Sequence, residues 1–228
     1  MPLLSAVYRD RFFKNLGTPS MFTRRIALVS FFVFVLSVLG APLTSTSAQA
    51  ADPAQTFVEG MADEAIQALT AEGVSREDRM TRFRVLLNAN FDVPLIGRWV
   101  LGRSWRAASD MEKAEYLTLF EDYIVVTYVE RFDQYSGEKL NVLKSVADPG
   151  KDAIVYSKIN RPSGDGAIRV NWRVRAKADV YKIIDVYVEG ISMSQTQRKE
   201  FASVIRSNGG KVSALNDLLR TKIVQLNK

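Results

Sequence analysis

Asp185 and Tyr187 come closer than any other residues in this chain to an acid–base pair, lying two residues apart in an alternating apolar segment. Alternate residues of a strand share a face, so both side chains are expected on one side. Glu115, Glu121, Asp122 and Glu189 supply further carboxylates. A glycosidase-like pair among these acids is decided by their separation in space, which sequence does not give. The chain contains no His and no Cys. That excludes Ser-His-Asp triads, His-ligated zinc, thiolate nucleophiles and disulfides. Any catalysis would rest on Asp, Glu, Lys, Tyr or Ser. No Walker A, GxGxxG or GxSxG motif and no metal-spaced cluster is present, and Asn208-Gly209-Gly210 reads as a helix stop. No cofactor is expected.

Arg169, Arg173 and Arg175 form a basic strip on one strand face, which Lys158 and Arg161 extend. Such a strip suits an anionic head group or a docking partner. It equally suits a solvated sheet face, with Asp185 and Glu189 pairing across the strands, and those nearby acids favour this plainer reading. The net charge is +6, but residues 1–50 hold five basic groups and one acid. The remainder is near neutral at +2, so nucleic acid is not expected as a partner.

These groups must be held by elements that the apolar pattern outlines. Phe57, Met61, Ala65, Ala68 and Leu69 have helical spacing and end before Gly73. Ser75 starts a second helix that runs to about Asn90. Asp92 as N-cap and Pro94 in the first turn start a short third, which stops at Gly102. Ser109 or Asp110 caps the longest helix, to about Phe132. It carries two apolar rows, Leu117, Phe120, Ile124 and Tyr128, and Leu119, Tyr123 and Val126. Two rows predict burial on both sides, or a core on one side and a cavity on the other.

From Leu140 the period becomes two, with strands expected over 140–146, 152–160, 167–176 and 180–189 and turn clusters between them. Ile168, Val170, Trp172 and Val174 face one way on the third strand. Ile184, Val186 and Val188 share a face on the fourth, with Tyr181, Ile183, Asp185 and Tyr187 opposite. Ser194 caps a helix through Phe201, Val204 and Ile205, and Leu215, Leu218 and Leu219 mark the last helix. Helices, then strands, then helices indicate one α+β domain with an antiparallel meander.

Residues 21–50 read as a cleaved export signal. Arg24 and Arg25 precede an apolar run from Ile26 to Leu39, and Ala48-Gln49-Ala50 follows as a cleavage site. The run is shorter than the roughly 20 apolar residues of a membrane span. The expected start is Met21, with residues 1–20 upstream of it and cleavage after Ala50. A single domain over 51–228 remains. Thr23-Arg24-Arg25 loosely resembles a twin-arginine signal.

Phe91-Asp92-Val93-Pro94-Leu95-Ile96-Gly97-Arg98-Trp99-Val100-Leu101-Gly102-Arg103-Ser104-Trp105-Arg106 resembles the "FD…LGR.WR" segment of the MlaC (toluene-tolerance) family. Glu115–Phe132 is similar to that family's following helix. Tyr181–Met193 resembles its strand and turn, and Phe201–Ile205 with Gly209-Gly210 its C-terminal helix and stop. One departure is Ser194–Arg198, where many members have an Asn-Tyr-Arg run.

The resemblance implies a Gram-negative periplasmic carrier and no enzyme. It implies transport of phospholipid between an outer-membrane lipoprotein complex and an inner-membrane ABC transporter complex. The implied fold is a strongly twisted antiparallel sheet of about four strands wrapped by helices, with an apolar lipid pocket between them. A hopanoid-associated relative extends the cargo to other apolar molecules. The apolar surplus then supplies the expected lining: Phe91, Ile96, Trp99, Val100, Phe120, Ile124, Tyr128, Val170, Trp172, Val174, Ile184, Val186 and Val188. Periodicity alone does not separate a filled core from a hollow one. A small enzyme of similar cone shape, using Asp185 and Tyr187, is the alternative.

Overall fold

The first helix begins where Asp52 accepts the Ala54 N–H at 2.8 Å and Pro53 fills a position that needs no N–H donor. The computed structural model describes residues 52–227 apart from 134, 149–151, 163 and 165. The expected export signal therefore lies outside the described residues. Helix α1 spans Pro53–Leu69 and buries Ala54, Val58 and Leu69. Helix α2 spans Arg76–Asn90, with Ser75 accepting the Asp78 N–H at 3.0 Å. Helix α3, Val93–Leu101, starts under the Asp92 carboxylate, which accepts from Leu95 N, and stops at Gly102 with φ +61. A short helix α4, Ser104–Ala107, follows and was not anticipated. Helix α5, Asp110–Tyr128, opens on a reciprocal capping box between Ser109 and Glu112. The four-residue helix α6, Glu130–Asp133, completes the expected long helical stretch.

Five strands follow: β1 Lys139–Asp148, β2 Asp152–Asn160, β3 Ile168–Lys177, β4 Val180–Val188 and β5 Ile191–Ser192. They pair antiparallel in chain order. The fold is α+β as expected, with the two-residue β5 added to the four anticipated strands. Glu189 and Gly190, at φ 50 and 82, make the tight turn between β4 and β5. Helix α7, Met193–Ser207, is capped by Ser192 rather than by the expected Ser194, and α8 spans Val212–Leu226.

Alternation on β4 is broken in mid-strand. Arg173 pairs with Asp185 but Val174 pairs with Ile183, leaving Ile184 as an extra residue. Such a bulge shifts the parity of every side chain beyond it. Tyr181 and Ile183 therefore share the apolar face with Val186, and Ile183 is fully buried. The expected grouping of Ile184 with Val186 and Val188 is corrected: Ile184 projects with Asp185 and Tyr187 into a cavity on the other side.

Two apolar clusters hold these elements. The first joins α2, α3, α5, α7 and α8 around Tyr116, Phe120 and Phe201, whose ring centroids lie 5.7–6.3 Å apart. Gly97 makes this approach possible, because a Cβ there would meet Leu117 at 2.9 Å and Phe120 at 3.0 Å. The second cluster lies between α1 and the sheet, formed by Ala54, Val58, Val155, Val174 and Ile183. Phe91 packs against both clusters, and its isolated bridge to Ile183 ties the start of α3 to β4.

Candidate functional site

The sheet is two-faced. Cross-strand registers place Leu140 and Val142, Val155 and Ser157, Val170, Trp172 and Val174, and Ile183, Val186 and Val188 on one face. Helix α1 covers the end around Val155, Val174 and Ile183, where Phe57 meets Tyr181 at 5.9 Å. Leu140, Val142, Trp172, Val186 and Val188 are only half-buried. The indole of Trp172 tolerates this apolar face because its N–H donates to Ser157 Oγ at 3.0 Å, and that hydroxyl donates in turn to Val170 O at 2.5 Å. The Trp172 N–H and the Ser157 hydroxyl are thus satisfied within the sheet, and hydrocarbon dominates this face.

The opposite face carries the charges, and acids answer the basic strip. Arg173 bonds Asp148 and Asp152, each at 2.9 Å, and Arg175 bonds Asp152 at 2.7 Å. Arg169 pairs with Glu189 at 2.8 Å. Glu189 is thus an arginine partner as expected, whereas Asp152 and Asp148 take the place expected for Asp185. The Asp152 carboxylate is 4% exposed, and the Arg175 hydrogen bond, followed by the charges of both arginines, holds its pKa below the usual range.

A cavity of about 300 Å³ lies where this face meets α3 and the start of α7. Its apolar wall is Leu95, Ile96, Trp99 and Ile184, and its polar wall is Arg173, Arg175, Asp185, Tyr187, Ser192, Ser194 and Gln195. Asp185 and Tyr187 do converge here. Both Asp185 oxygens are nonetheless engaged, accepting from Ser192 Oγ at 2.6 Å, Val186 N at 2.9 Å and Ser194 N at 3.2 Å. These bonds fold β5 and α7 back onto β4, which is a positioning role. Burial first, then the charge of Asp185, pushes the Tyr187 phenol up, so it stays a protonated donor at neutral pH.

The other candidate carboxylates are also committed. Glu121 and Asp122 clamp Arg84 at 2.6 and 2.7 Å, and Glu115 pairs with Arg220. No group of three potential metal-binding side chains occurs among the described residues.

The expected lining residues divide by location. Ile96, Trp99 and Ile184 meet in the polar-face cavity. Val170, Trp172, Val174, Val186 and Val188 share the apolar sheet face. Val100 and Phe120 are buried in the helical cluster, with Ile124 packed against it, while Tyr128 is 41% exposed. They do not all surround one cavity. Leu95, Ser192, Ser194 and Gln195 were not anticipated as cavity residues. The Glu189-Gly190 turn was the available signal, since a hairpin there returns Ser192–Gln195 to the side of Asp185.

No helix among the described residues is long and apolar enough to cross a membrane. Comparison with known proteins places this architecture. The chain is 20% identical over 192 residues to the intermembrane phospholipid transport system binding protein MlaC of Haemophilus influenzae, covering 81% of this chain and 89% of that protein. A solved structure of a phospholipid-binding protein from Ralstonia solanacearum, in complex with a phospholipid, superposes with a TM-score of 0.67 at 21% identity. That match covers 77% of this chain and 99% of the other, and shows the same fold. The family described as MlaC protein matches residues 59–221, most of the chain, and the protein belongs to the MlaC family.

Proposed function

We propose that this protein is a periplasmic lipid carrier, a single domain over residues 51–228 released from a cleaved export signal. It binds phospholipid acyl tails against the apolar face of its sheet. It shuttles the lipid between an outer-membrane lipoprotein complex and an inner-membrane ABC transporter complex. The observation that carries this reading is the half-buried strip of Leu140, Val142, Trp172, Val186 and Val188 on an otherwise apolar face. Removing tails from water is worth about 0.8 kcal/mol per methylene, and a hydrocarbon surface supplies that without catalytic groups. Family membership and the fold shared with a phospholipid complex support the same reading.

The enzyme alternative is less well supported, because the acids that would serve it are occupied by structural hydrogen bonds. Native mass spectrometry of protein purified without detergent tests the proposal. Co-purified phospholipid is the expected result. A preparation that carries no lipid, and takes up none from vesicles, would overturn it.

A further inference from the structure

Helices α3 and α4 present a concentration of cations with no acidic partners. Arg98, Arg103 and Arg106 are exposed, and none makes an ion pair within the described residues. Arg103 and Arg106 are three residues apart, so they project from the same side of their turn. Five arginines elsewhere on the sheet and the helices, Arg84, Arg169, Arg173, Arg175 and Arg220, each hold a carboxylate.

Two tryptophans are interleaved with these cations. The Arg98 guanidinium lies 5.8 Å from the Trp105 ring centroid, and Lys113 lies 5.9 Å from the same ring. Arg198 stacks 4.9 Å from the Trp99 ring and donates to Trp99 O at 3.2 Å. Trp99 nevertheless remains 43% exposed. An indole left half open to solvent beside a guanidinium exposes apolar ring to water. It is well matched to the head-group layer of a bilayer, where the ring meets apolar carbon and the cations meet phosphate.

We propose that the α3–α4 surface docks on an anionic lipid bilayer. Charge complementarity names the occupant: unpaired guanidinium groups select negatively charged head groups, and Trp99 adds the contact that a purely ionic surface lacks. The inference deepens the carrier reading, since both complexes that the carrier is proposed to serve sit in membranes, and it rests on that reading for its purpose alone.

Flotation with vesicles tests it, using phosphatidylcholine mixed with phosphatidylglycerol and, separately, pure phosphatidylcholine. Wild-type protein is expected to float with the mixed vesicles, to stay behind with the neutral ones, and to be released by added salt. At about 1 kcal/mol per basic residue near a charged surface, Arg103→Ala with Arg106→Ala should lower the partition coefficient about 30-fold. Both residues are exposed, so the double variant should keep its fold and, by native mass spectrometry, its cargo lipid. Equal partitioning of variant and wild type would overturn the proposal. So would failure of wild type to float with anionic vesicles, which would hand the patch to an acidic protein partner. Vesicle binding by a protein that never carries lipid would instead remove the carrier reading and leave this surface assignment intact.

Discussion

Replacing valine by tryptophan at two positions of one sheet face should give opposite results. Val174 is 1% exposed and packed among Val58, Val155 and Ile183 under helix α1. An indole there has no space. Overpacking of a filled core costs about 1–3 kcal/mol, and the size of this change places Val174→Trp near the top of that range. At about 2–4 °C per kcal/mol for a chain of this length, the melting temperature should fall by roughly 6–12 °C.

Val186 pairs with Trp172 on the half-buried strip of the same face. A ring at that position extends into incompletely covered space, so Val186→Trp should change stability by less than about 1 kcal/mol. It would occupy surface that we assign to lipid tails. Displacing three methylenes from contact removes about 2.4 kcal/mol of binding, roughly 60-fold in affinity. Thermal melts of lipid-stripped protein and native mass spectrometry of the loaded form read the two effects separately. Equal destabilisation by both changes, or a Val186→Trp variant with its full lipid content, would refute the division of this face into packed and open parts.

Three further outcomes follow from particular bonds. Tyr116 is fully buried, its O–H donates to Gly97 O at 3.0 Å, and burial raises its pKa; Tyr116→Phe should cost about 1 kcal/mol in urea melts, and wild type should retain one phenol that does not titrate until the protein unfolds. Asp152 has a folded pKa below its unfolded value, so the unfolded chain binds more protons in acid. Its stabilisation should be complete above about pH 4 and lost as pH falls through the lowered folded value, and acid melts of Asp152→Asn should lack that component. Asp185→Asn should weaken the bond from Ser192 and lower stability by about 1–2 kcal/mol while leaving co-purified lipid unchanged, measured by melting and mass spectrometry on one preparation.

Much of the fold was legible locally. Helix starts at Ser75, Asp92 and Ser109 follow from side chains that satisfy the first free N–H groups, and the structure uses each of them. The strands were read from a two-residue period and the turn clusters between them, and family motifs ordered the whole chain. The candidate site was read less completely. Sequence placed Trp172, Val174, Val186 and Val188 on one strand-facing set, and they do share a face. It placed Ile184 with them, and Phe120 and Val100 beside them, and tertiary structure separated these residues.

The reason lies in what periodicity measures. Alternation reports which residues share a face only while the register runs unbroken, and the β3–β4 register breaks at Ile184, beside the Ile183 that bridges Phe91. Charge pairing behaves likewise. Sequence pointed Arg173 and Arg175 toward Asp185 on the adjacent strand, whereas the β2–β3 register delivers Asp152 opposite Arg175 and leaves Asp185 to hold Ser192. Local spacing determined most of the elements and gave the export signal as an expectation, and quoted motifs carried the family resemblance. Only the long-range registers decided which apolar residues fill a core, which remain half-covered, and which sheet arginines meet which acids.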